Sequence, residues 1–186
     1  MKFGLPALGY YNKEDRLDDA QPYGLFETYS MNINYVKQLN AHHLGERKLT
    51  WQTTLFGQFS NDRLFSGQSV GLGGQSTIRG YKKESIIGAS GVYWRNDLSC
   101  PLTELRGETL REELGTIDFF LSYDIGATYG AGRADDKKGL IHGVGTGLRL
   151  RGGKWNGELS ASYPLNAPDF ILEYDPVYYA SLNYTF

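Results

Sequence analysis

Arg79 is the first residue of this chain whose type and setting suggest specific chemistry. It stands in the run Gly71-Leu72-Gly73-Gly74-Gln75-Ser76-Thr77-Ile78-Arg79-Gly80-Tyr81. A guanidinium is permanently charged and presents its N–H donors in a rigid fork, a shape matched to a carboxylate or phosphate. The surrounding segment, residues 61–85, is too long for a hairpin turn. Long connections in compact proteins are usually functional or disordered. This one is followed at once by the strand-like Val92-Tyr93-Trp94-Arg95-Asn96-Asp97-Leu98, so it is anchored.

Other reactive side chains fall short of a site. His42, His43 and His142 have no carboxylate or cysteine at metal-ligand spacing and read as surface or wall residues. The acidic run Glu14-Asp15-Arg16-Leu17-Asp18-Asp19 lacks the spacing and glycine of a calcium loop. The glycines at 71–74 do not lead through Lys-Ser/Thr into a helix, so they are not a phosphate loop. A lone Cys100 excludes an internal disulfide and any cysteine-based metal cluster. A lipase would need Ser, His and an orienting partner within reach. No nucleophile elbow is present, and His142 falls on the apolar side of its segment. No catalytic residue, metal or cofactor is expected, and the chain does not read as an enzyme.

The elements that must position Arg79 are strands. The 186 residues suffice for one domain with a core, and the net charge of −2 offers no basic face for nucleic acid. Gly 24, Tyr 14 and Phe 9 point to β structure with many turns. No apolar run approaches the roughly 18 residues of a membrane helix, and Met1–Pro6 lacks the apolar stretch of a signal peptide. Transmembrane β-barrels escape that test, because their apolar band occupies every second residue.

Period-two alternation is clearest over Thr116–Gly130. Ile117, Phe119, Leu121, Tyr123, Ile125, Ala127 and Tyr129 share one face; Asp118, Phe120, Ser122, Asp124, Gly126 and Thr128 share the other. Leu140–Arg151, Trp155–Leu165 and Tyr178–Phe186 alternate likewise, and weaker versions cover about 23–38, 47–60 and 86–99. That predicts seven strands. An eighth in residues 1–11 is weakened by Pro6 and Gly9. Leu102–Leu114 reads as a connection with room for a turn or two of helix. The strands run to about 11–16 residues, against about 5–6 in soluble proteins and about 9–11 for a tilted membrane-spanning strand. Aromatics near strand ends (Tyr23, Trp51, Tyr129, Trp155, Tyr163, Tyr178) suit interfacial girdles. A soluble lipocalin-like barrel or β-sandwich has the same period with its faces reversed, and period alone does not choose. The glycine- and arginine-rich face of Gly143, Gly145, Gly147, Arg149 and Arg151 favours a wet lumen. Arg95, Asp97, Arg149 and Arg151 read as ordinary polar residues of its wall.

Counted back from Phe186, connections 61–85, 131–139 and 166–176 fall at one end, and 39–46, 100–114 and 152–154 at the other. Longer extracellular loops would make the first set extracellular. The 100–114 connection is long for a periplasmic turn.

Loop and strands together resemble a family. Gly73–Tyr81, followed by Gly91–Leu98, is similar to the two-partner secretion transporters, the haemolysin-activator or TpsB family, within the superfamily of outer-membrane protein assembly factors. The family's Val-Arg-Gly-Tyr/Phe motif appears as Ile78-Arg79-Gly80-Tyr81. Its Phe-x-Asp-x-Gly motif appears as Ser122-Tyr123-Asp124-Ile125-Gly126, with only the Asp-x-Gly core intact. Tyr184-Thr185-Phe186 resembles the terminal aromatic signal read by the barrel-assembly machinery.

The resemblance implies an all-β, antiparallel transmembrane barrel of which this chain supplies about 7–8 strands, similar to the C-terminal half of a 16-stranded barrel. It places the chain in the outer membrane of a Gram-negative bacterium, in contact with lipid. The family's signal peptide, plug helix and two periplasmic substrate-binding (POTRA) domains have no match in residues 1–186. The loop is expected to fold into the lumen with Arg79 paired to Asp124. The implied function is export of a large TpsA-type haemolysin or adhesin. The alternatives are an assembly factor for other outer-membrane proteins, or a truncated barrel fragment without transport activity of its own.

Overall fold

The computed structural model describes residues 2–3, 25–41, 47–82, 85–104, 108–130, 137–166, 168–171 and 175–185. Tyr23, His42, His43, the acidic run at 14–19 and Phe186 lie outside the described residues.

Seven long or moderately long strands build the wall: β2 (Glu27–Ala41), β3 (Arg47–Phe59), β6 (Ser90–Glu104), β7 (Thr116–Tyr129), β8 (Gly139–Arg151), β9 (Trp155–Asn166) and β10 (Val177–Tyr184). A two-residue β1 (Lys2–Phe3) pairs with Thr28 and Glu27 of β2. The eight form one antiparallel sheet, each beside its neighbour in the chain order β1-β2-β3-β6-β7-β8-β9-β10. The sheet is open, with β1 and β10 at its ends. β7 has 14 residues; at about 3.4 Å per residue, such a strand crosses a hydrocarbon layer about 30 Å thick even when strongly tilted.

The faces are sorted in the sense that water would not choose. Along β7, Asp118, Phe120, Ser122, Asp124 and Thr128 are buried, while Phe119, Leu121, Tyr123 and Tyr129 are exposed. Trp94, Leu98, Leu148, Leu159 and Leu182 extend the exposed apolar surface over β6, β8, β9 and β10. A soluble barrel or sandwich would reverse this pattern; a membrane barrel requires it. The fold is that of a transmembrane β-barrel wall.

The polar face is covered by the chain's own loop. Two short strands, β4 (Val70–Leu72) and β5 (Ile86–Gly88), pair as a hairpin within residues 61–89 and lie against the inner face of the sheet. Val70, Leu72, Ile78, Tyr81 and Ile86 of this loop pack with Ile141 of β8 and Ile171, flanked by Phe56, Tyr93 and Phe170. The hydrophobic core therefore sits inside the concave face, between loop and wall.

Three expected boundaries shift. The strand expected over 86–99 divides at Ala89, because Ile86–Gly88 pairs with β4 and only Ser90 onward joins the wall. β6 then runs on to Glu104 through a register shift between Pro101 and Thr103, where a bulge tolerates a proline that gives no N–H to the ladder. The connection at the turn end is correspondingly shorter, and its turn or two of helix is α1 (Glu108–Leu114). The helix is tied to the β8–β9 turn by the Lys154 N–H donating to the Glu112 carbonyl. The Lys154 ammonium donates to Glu113 at 2.7 Å and lies 3.3 Å from Glu112. Those two carboxylates, Glu113 first, hold its pKa above the ordinary lysine value.

Candidate functional site

Arg79 lies at the bottom of the loop, 2% exposed, against a fully buried Asp124. Its Nε donates to Asp124 Oδ2 at 2.6 Å and its Nη2 to Asp124 Oδ1 at 2.7 Å. The Arg79 backbone N–H adds a third bond, to Oδ2 at 3.1 Å. Side chain and main chain are thus held by one carboxylate, which fixes position and direction together. The same Nη2 also reaches Asp97 Oδ1 at 2.6 Å.

The contact continues along the wall. Asp97 Oδ2 accepts from Arg149 Nη2 at 3.2 Å, and Arg149 donates to Glu158 at 2.7 and 3.0 Å. The Arg149 guanidinium lies 4.4 Å from the Phe120 ring centroid, close enough for cation–π attraction. Arg95, paired across the sheet with Asp124, has its Nε 3.9 Å from Asp124 Oδ1 and donates Nη1 to the Ser76 carbonyl at 2.7 Å. Charges of both signs alternate, as burial of ions demands.

The rest of the loop is shaped to fit. Ile78 is fully buried in the core. Gly80 has φ +101°, and a Cβ there would stand 2.8 Å from Pro164 N and 2.9 Å from the Tyr163 carbonyl carbon. Gly143 on β8 passes directly under the loop, where a Cβ would overlap the Arg79 carbonyl oxygen. At Gly126 a Cβ would meet Leu72 Cδ1 at 2.8 Å, so this glycine clears space for a loop side chain. The Tyr81 hydroxyl lies 2.8 Å from the His142 carbonyl and 2.5 Å from that of Asn166, at the β8–β9 bulge where the register steps from His142–Asn166 to Gly143–Pro164. Tyr81→Phe keeps the ring packing and removes the donor. Chemical denaturation should show a loss of about 0.5–1.5 kcal/mol, the net worth of a part-buried hydrogen bond.

Tyr184 lies on β10, 4.8 Å from the Trp155 ring centroid and remote from the loop. His142 faces the Tyr123 hydroxyl at 3.4 Å on the outer surface. Asp97 and Arg149, which read in the sequence as ordinary wall residues, join the site here, and Glu158 joins it with no local sequence signal. The short 152–154 turn limits the β8–β9 register to within a residue, and opposite charges at Arg149 and Glu158 select the pairing that the sheet adopts.

The profile of the haemolysin secretion/activation protein family ShlB/FhaC/HecB matches residues 1–150. The chain belongs to this family. Among curated ShlB/FhaC/HecB-like relatives, the outer membrane transporter CdiB of Escherichia coli O6:K15:H31 (strain 536) is 27% identical over 90% of this chain and 26% of its own length. CdiB of Dickeya dadantii is 24% identical over 90% of the chain and 28% of its length. The chain thus spans about a quarter of the relatives it matches. The solved structure of E. coli CdiB superposes with a TM-score of 0.77 at 27% identity, covering 90% of this chain and 29% of that one. CdiB of Acinetobacter baumannii, at 18% identity and a TM-score of 0.71 over 86% of this chain and 27% of its own, shares the fold. The place of this family member is the outer membrane of Gram-negative bacteria.

Proposed function

We propose that this chain forms a lumen-wall segment of an outer-membrane translocator, and that its inward-folded loop, residues 61–89, is clamped by Arg79 on Asp124. The exported partner is a large TpsA-type haemolysin or adhesin, delivered by two-partner secretion. The observation that carries this reading is the buried, bidentate Arg79–Asp124 contact on the concave face, with the Arg79 main chain bonded to the same carboxylate. Ile78, Gly80 and Tyr81 complete the clamp on the loop side, and Gly126 makes room for it on the wall. A loop held at this many points gives the pore one fixed internal shape on its transport path. Residues 1–186 act as one membrane unit of a barrel whose wall continues beyond β1 and β10, which removes the open edges that lipid does not tolerate.

The test is secretion in cells whose transporter carries this segment. Asp124→Ala is expected to abolish release of the partner while the protein remains in the outer-membrane fraction. Normal secretion by both Asp124→Ala and Arg79→Ala would overturn the role. Capture of nascent outer-membrane barrels in place of a secreted partner would assign the chain to assembly factors.

The exposed apolar face is the proposed lipid contact, and the C-terminal Tyr184 and Phe186 the signal read by the barrel-assembly machinery. Leu121 is 51% exposed, midway along β7. Leu121→Arg should destabilise the membrane-inserted state by about 2–4 kcal/mol. Ser122→Ala, on the opposite face of the same strand, should leave insertion unchanged. Refolding into lipid vesicles under urea titration measures both.

A further inference from the structure

A second feature of the concave face adjoins the Arg79–Asp124 clamp and shares Arg95 and Asp97 with its surroundings. An open cavity of about 370 Å³ is lined by Gln52, Thr54 and Asp97 together with three arginines, Arg95, Arg149 and Arg151. It extends from the row holding Arg95 and Asp124 toward the strand ends at Arg151 and Trp155, on the opposite side of the clamp from the long loops. A polypeptide entering from the turn end meets this cavity before it meets the loop.

The cavity is rich in unspent donors. Three guanidiniums carry about fifteen N–H groups between them. Arg95 gives one hydrogen bond, to Ser76 O, and Arg151 gives one, to Asp118; Arg149 gives three, all to Asp97 and Glu158. The single carboxylate in the lining, Asp97, is already held between Arg79 and Arg149. Arg151, 42% exposed, is paired with Asp118, and Arg95, 24% exposed, has its Nε beside Asp124; each still has N–H donors left over at the cavity. Gln52 and Thr54 add neutral groups at the spacing of one strand face, suited to peptide carbonyls and N–H groups.

We propose that this cavity is a binding site for an acidic, extended peptide segment, its carboxylates taken by Arg95 and Arg151. That the ligand is a polypeptide rests on the export reading above; that the site takes carboxylates rests on the three guanidiniums alone. Salt weakens such binding, because the cavity is open to water.

The experiment uses the transporter that carries this segment, in detergent micelles, and a fluorescently labelled hexaglutamate peptide, followed by anisotropy at low ionic strength. Hexaglutamate should bind, and hexaglutamine and hexalysine should not. Arg95→Gln and Arg151→Gln should each weaken binding by about tenfold, the size expected for one charge-assisted contact. Unchanged heat-modifiable migration of each variant establishes that it still folds, and Lys37→Gln on β2 is the charge control expected to bind normally. Equal binding of hexaglutamine, or affinity unaltered in both arginine variants, would overturn the proposal. So would displacement of the peptide by inorganic phosphate at concentrations where free hexaglutamate also displaces it, since that marks a general anion site. Secretion by Asp124→Ala is read separately, so failure of the clamp and failure of this site are distinguishable.

Discussion

Arg79→Ala is expected to remove the partner protein from the culture medium while the transporter stays in the outer membrane. The size of the effect follows from what the substitution leaves behind. Asp124 is fully buried and receives three hydrogen bonds from this one residue. Without the side chain, Asp124 keeps the backbone N–H of residue 79 and the Arg95 Nε at 3.9 Å, but loses both short guanidinium bonds. Stranding a buried charge costs about 3–5 kcal/mol, a change of roughly 10²–10⁴ in the ratio of docked to undocked loop. The apolar contacts of Leu72, Ile78 and Ile86 remain, so the loop loses its set position and the wall keeps its fold. Arg79→Lys should fail to restore secretion, because an ammonium is a point charge that cannot span both oxygens of Asp124. The double variant Arg79→Ala/Asp124→Ala should be less destabilised than the sum of the two singles, since neither charge is then left alone. Chemical denaturation of the four proteins gives the coupling; full additivity would show that the contact carries no energy.

Gly143→Ala should be nearly as damaging, although it changes no charge and lies on a different element. Its new Cβ would overlap the Arg79 carbonyl oxygen, and both the wall strand and the loop main chain at that point are held by hydrogen bonds. Neither backbone can yield cheaply, so the loop must lift. Overpacking of this kind costs about 1–3 kcal/mol or more, spent where Arg79 meets Asp124. Gly71→Ala is the matched control: nothing lies within 4 Å of its Cβ, and it should be silent. Limited proteolysis within residues 61–85 should cut Gly143→Ala faster than the parent or Gly71→Ala. Equal cutting of all three would show that the loop does not depend on close approach at Gly143.

Gly143 and Asp97 also mark the limit of what could be read from residues in order. Gly143 is visible in the sequence only as one glycine of the run 143, 145, 147. Its importance depends on which main chain rests on it, a contact between positions 64 residues apart. Asp97 looks like an ordinary wall residue until strand register sets it within reach of both Arg79 and Arg149. Arg79 and Asp124 are named from a motif resemblance; the extension of their contact to Glu158 has no local signature. Strand boundaries near 86–104 shift for a related reason. Ile86–Gly88 has strand character, and only the competition between β4 and the wall decides its partner.

By itself the sequence determined that this is a chain of long, two-faced antiparallel strands with one oversized connection, because a period of two and the punctuation between periods are local properties. It also carried the resemblance that names the family, because short motifs survive without their surroundings. Which face turns outward and which inward was decided only by the tertiary structure: alternation is symmetric, and burial of Asp118, Ser122 and Asp124 against exposure of Phe119, Leu121 and Tyr123 breaks that symmetry. The inward fold of the loop belongs to the same level. It depends on an apolar cluster, a pair of glycines and a line of charges drawn from strands far apart in the chain, and those meet only when the sheet curves around them.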